Sequence, residues 1–263
     1  MKSKLFSFLI MGFITLSITS CDENAIPETT ESIPDGAVYV KFFFNVEDAP
    51  TANFYFDDEK ISAVNESSDS LVQGSDYGTV FPSNAYAITS SGNRNVTARD
   101  LDQNQIASAS KEFDSENNYS IYLLGTVDDY DIFVLQDELP PVERNKIYWR
   151  FVNVMVNIPF AVDAYAVLDG VPASGNNPAQ PVQVISLGNG IDYKKAGIYT
   201  ELETGNYTFK VFDSSSDYDP ETSEPYLQNT VNVSSKGRVY STQIRGVYSE
   251  TPSTSNIDYW RER

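Results

Sequence analysis

The sequence predicts an all-β protein: two tandem antiparallel β-sandwich modules, immunoglobulin-like in architecture. Three observations predict it. Aromatics reach 13%, carried by 17 Tyr and 15 Phe, and with frequent Val, Ile and Thr this composition suits pleated, half-buried strands. No window of helical length carries an i, i+3, i+4, i+7 apolar stripe bounded by caps. The chain also repeats itself: Tyr86–Asp100 (YAITSSGNRNVTARD) aligns without a gap with Tyr199–Asp213 (YTELETGNYTFKVFD), with Tyr86/Tyr199, Gly92/Gly205, Asn93/Asn206 and Asp100/Asp213 identical.

Residues 1–20 form a signal peptide. Lys2 and Lys4 supply the positive start and Leu5–Ile18 a short apolar run, too short and wrongly flanked for a membrane span. Ile18-Thr19-Ser20-Cys21 resembles the bacterial lipobox, with Ile in place of the usual first Leu. Cys21 is the only cysteine of the 263 residues, and it stands where a lipobox needs it. The resemblance implies an acylated Cys21 and attachment to the outer membrane of the cell envelope, on its periplasmic face or at the cell surface; more than one acyl chain is needed for stable anchoring. Residues 21–36 read as a disordered tether, since DENAIPETTESIPDG offers five carboxylates and two prolines and almost nothing to bury. Fully extended, it spans about 50 Å.

The first module is predicted over 37–138, with strands near 37–46, 53–57, 60–64, 76–80, 84–90, 94–101, 105–112, 118–126 and 130–136, each an apolar or alternating run bounded by turn residues. Asp137–Lys146 (DELPPVERNK) breaks the pattern with Pro140-Pro141; so short a join holds two modules in a fixed line. The second module is predicted over 146–250, with strands near 146–156, 161–168, 182–187, 191–194, 197–203, 206–212, 227–234 and 238–248. Gly188-Asn189-Gly190 reads as the hairpin turn between two of these. Tyr119–Gly125 (YSIYLLG) pairs with Tyr240–Gly246 (YSTQIRG), and Phe44-Asn45-Val46 with Val152-Asn153-Val154, so whole modules are duplicated rather than a short solenoid unit. Residues 251–263 are a mostly polar C-terminal tail, disordered or docked on the second module.

These blocks resemble the family known as domain of unknown function 4397. Arg150-Phe151-Val152-Asn153, Pro159, Val162-Asp163-Ala164-Tyr165 and Asp169-Gly170 fit its opening segment, and Gly205-Asn206-Tyr207 its later strand; Met155-Val156 replaces a Ser-Pro. The resemblance extends over about residues 38–250. It implies secreted or envelope-anchored β-sandwich modules, often in tandem, and brings no catalytic residues with it.

Composition narrows the chemistry. There is no His, hence no Ser-His-Asp or Cys-His catalysis and no imidazole metal site. A net charge of −19, or −21 once Lys2 and Lys4 are cleaved away, disfavours nucleic acid as a partner. No cofactor is implied, with Ca²⁺ the one ion that acidic loops could hold: Asp213, Asp217, Asp219 and Glu221 lie close together in sequence and offer hard oxygen ligands, although without EF-hand spacing. Loop aromatics suit stacking on glycans or peptides, and the candidates are Tyr130, Tyr218, Tyr226 and, in the tail, Trp260. The functional expectation is a lipid-anchored envelope protein, not an enzyme, that presents two modules for binding or adhesion to a glycan or an envelope protein. The alternatives are an accessory subunit of an envelope assembly and, last, a carboxylate-dependent exported hydrolase.

Overall fold

The computed structural model describes residues 35–263 apart from 63–64, 68–69, 73, 128, 171–178 and 180. The signal, Cys21 and nearly all of the tether fall outside these residues. The first half contains β1 (Ala37–Phe44), β2 (Ala52–Phe56), β3 (Glu59–Lys60), β4 (Asn65–Ser67), β5 (Ser70–Val72), β6 (Val80–Phe81), β7 (Ala87–Ser90), β8 (Gly92–Asp100), β9 (Gln105–Phe113), β10 (Asn118–Thr126) and β11 (Asp129–Asp137). The second contains β12 (Ile147–Asn153), β13 (Val162–Leu168), β14 (Gln183–Ile191), β15 (Lys195–Ala196), β16 (Thr200–Leu202), β17 (Gly205–Asp213), β18 (Leu227–Val233), β19 (Arg238–Ile244) and β20 (Ile257–Arg261).

Each half folds into two main sheets, with a separate β4-β5 pair in the first half, and the orders of the main sheets match strand for strand. The first half has β3-β2-β8-β9 opposite β11-β10-β1-β6, with β7 also on β1; the second has β14-β13-β17-β18 opposite β20-β19-β12-β15, with β16 also on β12. The tail is therefore a strand. β20 pairs antiparallel with β19, from Ile244 opposite Ile257 to Tyr240 opposite Arg261, and occupies the place that β11 holds in the first half. Not all pairing is antiparallel, as the sequence had suggested: β1 lies parallel to β10 and β12 parallel to β19. In each half the chain passes through the opposite sheet between those two strands, and such a long crossover is what parallel neighbours require. Gly188 and Gly190 are not a hairpin turn. They sit inside the single strand β14, both at positive φ, where two register shifts opposite Val162–Tyr165 make a bulge.

Period two sends alternate side chains of one strand to different cores. From β1, Val38, Val40, Phe42 and Phe44 enter the first sandwich with Phe54, Phe56 and Ile121. From β12, Ile147, Trp149 and Phe151 enter the second with Phe209 and Val211. The remaining faces of these strands meet each other. Phe43, Tyr122 and Leu124 of the first half pack with Val152, Val154, Val156 and Trp260 of the second; Phe43 stacks on Tyr122 with centroids 4.5 Å apart and meets Trp260 edge-on, also at 4.5 Å. The modules are thus fused sheet to sheet, four layers deep, rather than strung in a line. This is why β1 and β12 read as near-continuous apolar runs: both faces are buried.

The glycine that ends the repeated block is explained by its backbone. Gly125 has φ +117° and an added Cβ would lie 2.1 Å from Asp129 O; its counterpart Gly246 has φ +84° and would meet Asn256 Nδ2 at 2.7 Å. Gly125→Ala combines left-handed strain with a backbone clash. It is expected to lower stability by about 2 kcal/mol or more, read as a shift of the urea midpoint at unchanged slope.

Candidate functional site

The residues predicted for ligand contact are dispersed. Tyr130 lies in β11 and packs partly buried against the first core. Tyr218 stacks on Phe212 at 4.3 Å; its hydroxyl donates to Asp163 Oδ2 and lies 3.1 Å from the Tyr165 hydroxyl. Burial, then the Asp163 contact, raises its pKa well above that of free tyrosine. Tyr226 sits between Phe160 and Tyr248, with centroids 5.6 and 5.8 Å away, and donates to Ser249 O at 2.9 Å; burial pushes its pKa up to about 12. Trp260 is 5% exposed. Its neighbours in the tail are polar, but it fills the space between modules, so the exposed tail platform expected of it is not there.

The acidic loop does not converge on a point. Asp213 Oδ1 accepts from the Ser215 N–H and hydroxyl at 2.9 and 2.7 Å. Asp219 Oδ1 accepts from the Glu221 N–H at 2.9 Å, and these bonds hold its carboxyl below the usual carboxylate range. Lys210 Nζ donates to the Pro220 and Glu221 carbonyls at 3.0 Å. Among the described residues no group of three or more His, Cys, Asp or Glu is placed to hold a metal. Asp213, Asp217, Asp219 and Glu221 therefore do not make a Ca²⁺ site: the chain uses Asp213 and Asp219 to close turns.

The structure instead gathers charge in the seam between the modules. Lys41 of β1 and Arg150 of β12 are 0% and 2% exposed, and Asp137 and Glu262 are 3% and 0% exposed. Lys41 Nζ lies 3.0 Å from Glu262 Oε2 and donates to Arg261 O at 2.7 Å. Arg150 Nη2 donates to Asp137 Oδ1 and, at 3.3 Å, to Glu262 Oε1. Ser120 Oγ donates to Asp137 Oδ2 and Ser241 Oγ to Glu262 Oε1, each at 2.8 Å. The Tyr86 hydroxyl bridges the acids, 3.0 Å from Asp137 Oδ2 and 2.9 Å from Glu262 Oε2. Lys41 sits 4.9 Å from the Tyr86 ring centre and Arg150 4.8 Å from that of Tyr199.

These eight residues are four equivalent pairs. Lys41 faces Ser120 across β1–β10 as Arg150 faces Ser241 across β12–β19, and Tyr86/Tyr199 and Ser120/Ser241 belong to the repeated blocks. Asp137 and Glu262 each accept from the Ser of their own half. Two cations face two carboxylates, which is the condition for burying charge at tolerable cost. Burial lowers the Lys41 pKa despite Glu262 beside it. Burial also raises Asp137 against the pull of Arg150. Burial alone would raise Glu262 too, but Lys41, Arg150 and Ser241 together hold it below its usual range. Opposed shifts on two neighbouring carboxyls are the mark of a glycosidase pair. Here both side chains are 0% exposed and each is committed to a cation, so no substrate bond reaches them and the pair serves the seam.

A cleft opens at each edge of the seam. One, of about 600 Å³, is lined by Phe133 and Leu135 of β11 together with Arg150, Lys194, Ile198 and Tyr199. The other, of about 450 Å³, is lined by Tyr259, Trp260 and Arg261 of β20 together with Tyr240, Ser83 and Asn84. Sequence reasoning missed Glu262 and the second cleft because both depend on β20, and Asp137 because it ends β11 where the pattern reads as a linker; the alternation of Ile257, Tyr259 and Arg261 with Asp258, Trp260 and Glu262 was the available signal.

Residues 38–165 match the family described as Domain of unknown function (DUF4397). The match takes in the first module and continues through β12 into β13, short of the expected reach to 250. No curated protein matches the chain. Solved structures similar to it include the family CBM26 module CBMbc of Eubacterium rectale Amy13K, in complex with maltoheptaose, at 10% identity over 86% of this chain and 97% of that one, TM-score 0.24. A candidate cell adhesion protein from Bacteroides ovatus is 10% identical over 89% of this chain and 97% of that one, TM-score 0.27. Family 41 carbohydrate-binding modules from streptococcal virulence factors, described for alpha-glucan recognition, are 6% identical over 85% of this chain and 97% of theirs, TM-score 0.23.

Proposed function

We propose that the protein is a lipid-anchored protein of the bacterial cell envelope that presents its fused pair of sandwiches for binding or adhesion, with the second module a diverged copy of the first. The observation that carries the anchor is the lone Cys21 directly after a signal-like run. The acidic tether gives reach. The body that follows is stiffened by a buried seam, so its clefts are held in fixed relation without ordering cost on binding. A scaffold role in an envelope assembly is the second reading. The observation in its favour is the docked tail, which forms the edge strand β20 of its sheet. Cys21→Ser is expected to move the protein from the detergent phase to the aqueous phase in a detergent-partition assay; unchanged partition refutes the anchor.

A further inference from the structure

The cleft at β20 carries features that the fold alone does not demand. Tyr259 is 46% exposed. Its ring lies 5.6 Å from Trp149, which also stacks on Tyr240 at 4.6 Å and on Phe209 at 4.5 Å. Trp149 is fixed in turn by donating from Nε1 to Thr242 Oγ1 at 2.7 Å. Tyr259 and Tyr240 therefore form an aromatic surface held in place before any ligand arrives, with little rotamer freedom left to lose.

Two buried donors in the same lining lack acceptors. Trp260 Nε1 and Arg261 Nε have no hydrogen-bond partner among the described residues. Buried polar groups are nearly always paired, and these two donors in one lining call for a partner that supplies acceptors. Ser83 and Asn84 are exposed on the lining and add further donors and acceptors.

The cleft at β11 is an internal control. By register, Val134, Leu135 and Gln136 stand where Tyr259, Trp260 and Arg261 stand. At these three positions the β11 cleft carries neither a tyrosine nor these two donors; it has Phe133 and the unmatched Tyr199 hydroxyl in its lining instead.

A ligand that fits has a flat apolar face for the tyrosines and a rim of acceptor oxygens for the donors. It is also not an anion, because a chain of net charge −19 repels anions on approach. A sugar ring has this combination of C–H face and hydroxyl rim, and about 450 Å³ falls within the range of small-molecule sites, ~300–1,000 Å³. We propose that the β20 cleft is a binding site for a neutral glycan. This rests on the reading of the body as a binding unit and names its ligand class.

The test is titration calorimetry on the otherwise full-length Cys21→Ser protein, with maltoheptaose, cellohexaose, xylohexaose and mannohexaose, and with polygalacturonate as the anionic comparison. At least one neutral oligosaccharide is expected to bind. Tyr259→Ala and Asn84→Trp, the second adding bulk from an exposed position, should each weaken that binding tenfold or more, while Val134→Ala leaves it unchanged. The proposal is overturned if no neutral oligosaccharide binds, if polygalacturonate alone binds, or if binding survives Asn84→Trp in a protein whose circular dichroism is native. Capture of an envelope protein by a chain that binds none of the sugars would sink this site and leave the envelope-binding reading standing. The partition assay on Cys21 tests the anchor separately.

Discussion

Replacing Arg150 by Met is expected to cost about 3–5 kcal/mol of folding stability, the range for removing one partner of a buried ion pair. Asp137 loses its cation and Glu262 keeps only Lys41. Methionine fills much of the vacated volume, so the loss reports charge rather than a cavity. Its pH dependence separates the two. In the native seam Asp137 is raised and Glu262 lowered. Glu262 therefore adds stability that is present above its unfolded pKa and is lost as pH falls through its folded one. Asp137 acts in the opposite sense, its contribution being full below its unfolded pKa and lost as pH rises through the raised folded one. Without Arg150 both acids shift upward and take protons more readily when folded. The deficit of Arg150→Met should accordingly be larger at pH 7 than at pH 4, measured from urea midpoints at both. An equal deficit at the two pH values would mean that the seam charges do not contribute as described. Arg150→Lys should not rescue fully, because a compact ammonium does not reproduce the fork that bonds Ser241 from Nε and Asp137 and Glu262 from Nη2.

A larger effect is expected from ending the chain after Asn256. This deletes β20 and with it Ile257 from the second core, Trp260 from the seam and Glu262 from Lys41. Loss of a buried Trp alone costs about 3–5 kcal/mol, and an uncompensated buried Lys adds a comparable amount. The sum approaches the whole stability of an ordinary domain, ~5–15 kcal/mol. Thermal midpoints should fall by tens of degrees, and the exposed face of Phe43 and Tyr122 should drive self-association, visible by size-exclusion chromatography. A truncated chain that melts like the full one would show that β20 is an ornament rather than a member of the sheet. Trp260→Ala and Glu262→Gln then divide the loss between packing and charge.

Much of this architecture is legible in the sequence because the signals are local. Gly125 and Gly246 mark the same strand end in both copies and both need positive φ. Tyr86/Tyr199 and Ser120/Ser241 stand out as repeats, and all four turn out to ring the seam. What was not legible depends on long-range pairing. Asp137 sits in the segment that reads as a linker and Glu262 in the segment that reads as a tail. The cation of Glu262, Lys41, lies at the other end of the body, and that of Asp137, Arg150, lies 13 residues away in a strand that reads as apolar. Trp260 looked like a ligand platform because its flanks are polar and charged; five residues of alternation at a chain end are too few to announce a strand. The run AVYVKFFF carried the sign of burial on two faces, but nothing local said what the second face would meet. The loop acids were visible as a cluster in sequence, yet their spacing suits turn closure better than convergence on an ion.

The seam is reciprocal. Lys41 reaches Glu262 while Arg150 reaches Asp137, and the members of each contact are counterparts of the members of the other. That is the definition of an isologous contact, the kind found on the twofold axis of a homodimer. The chain has the form of such a homodimer with its two halves on one chain, unable to drift apart on dilution. Being on one chain, the halves need not be identical: one edge carries valine, leucine and glutamine where the other carries tyrosine, tryptophan and arginine.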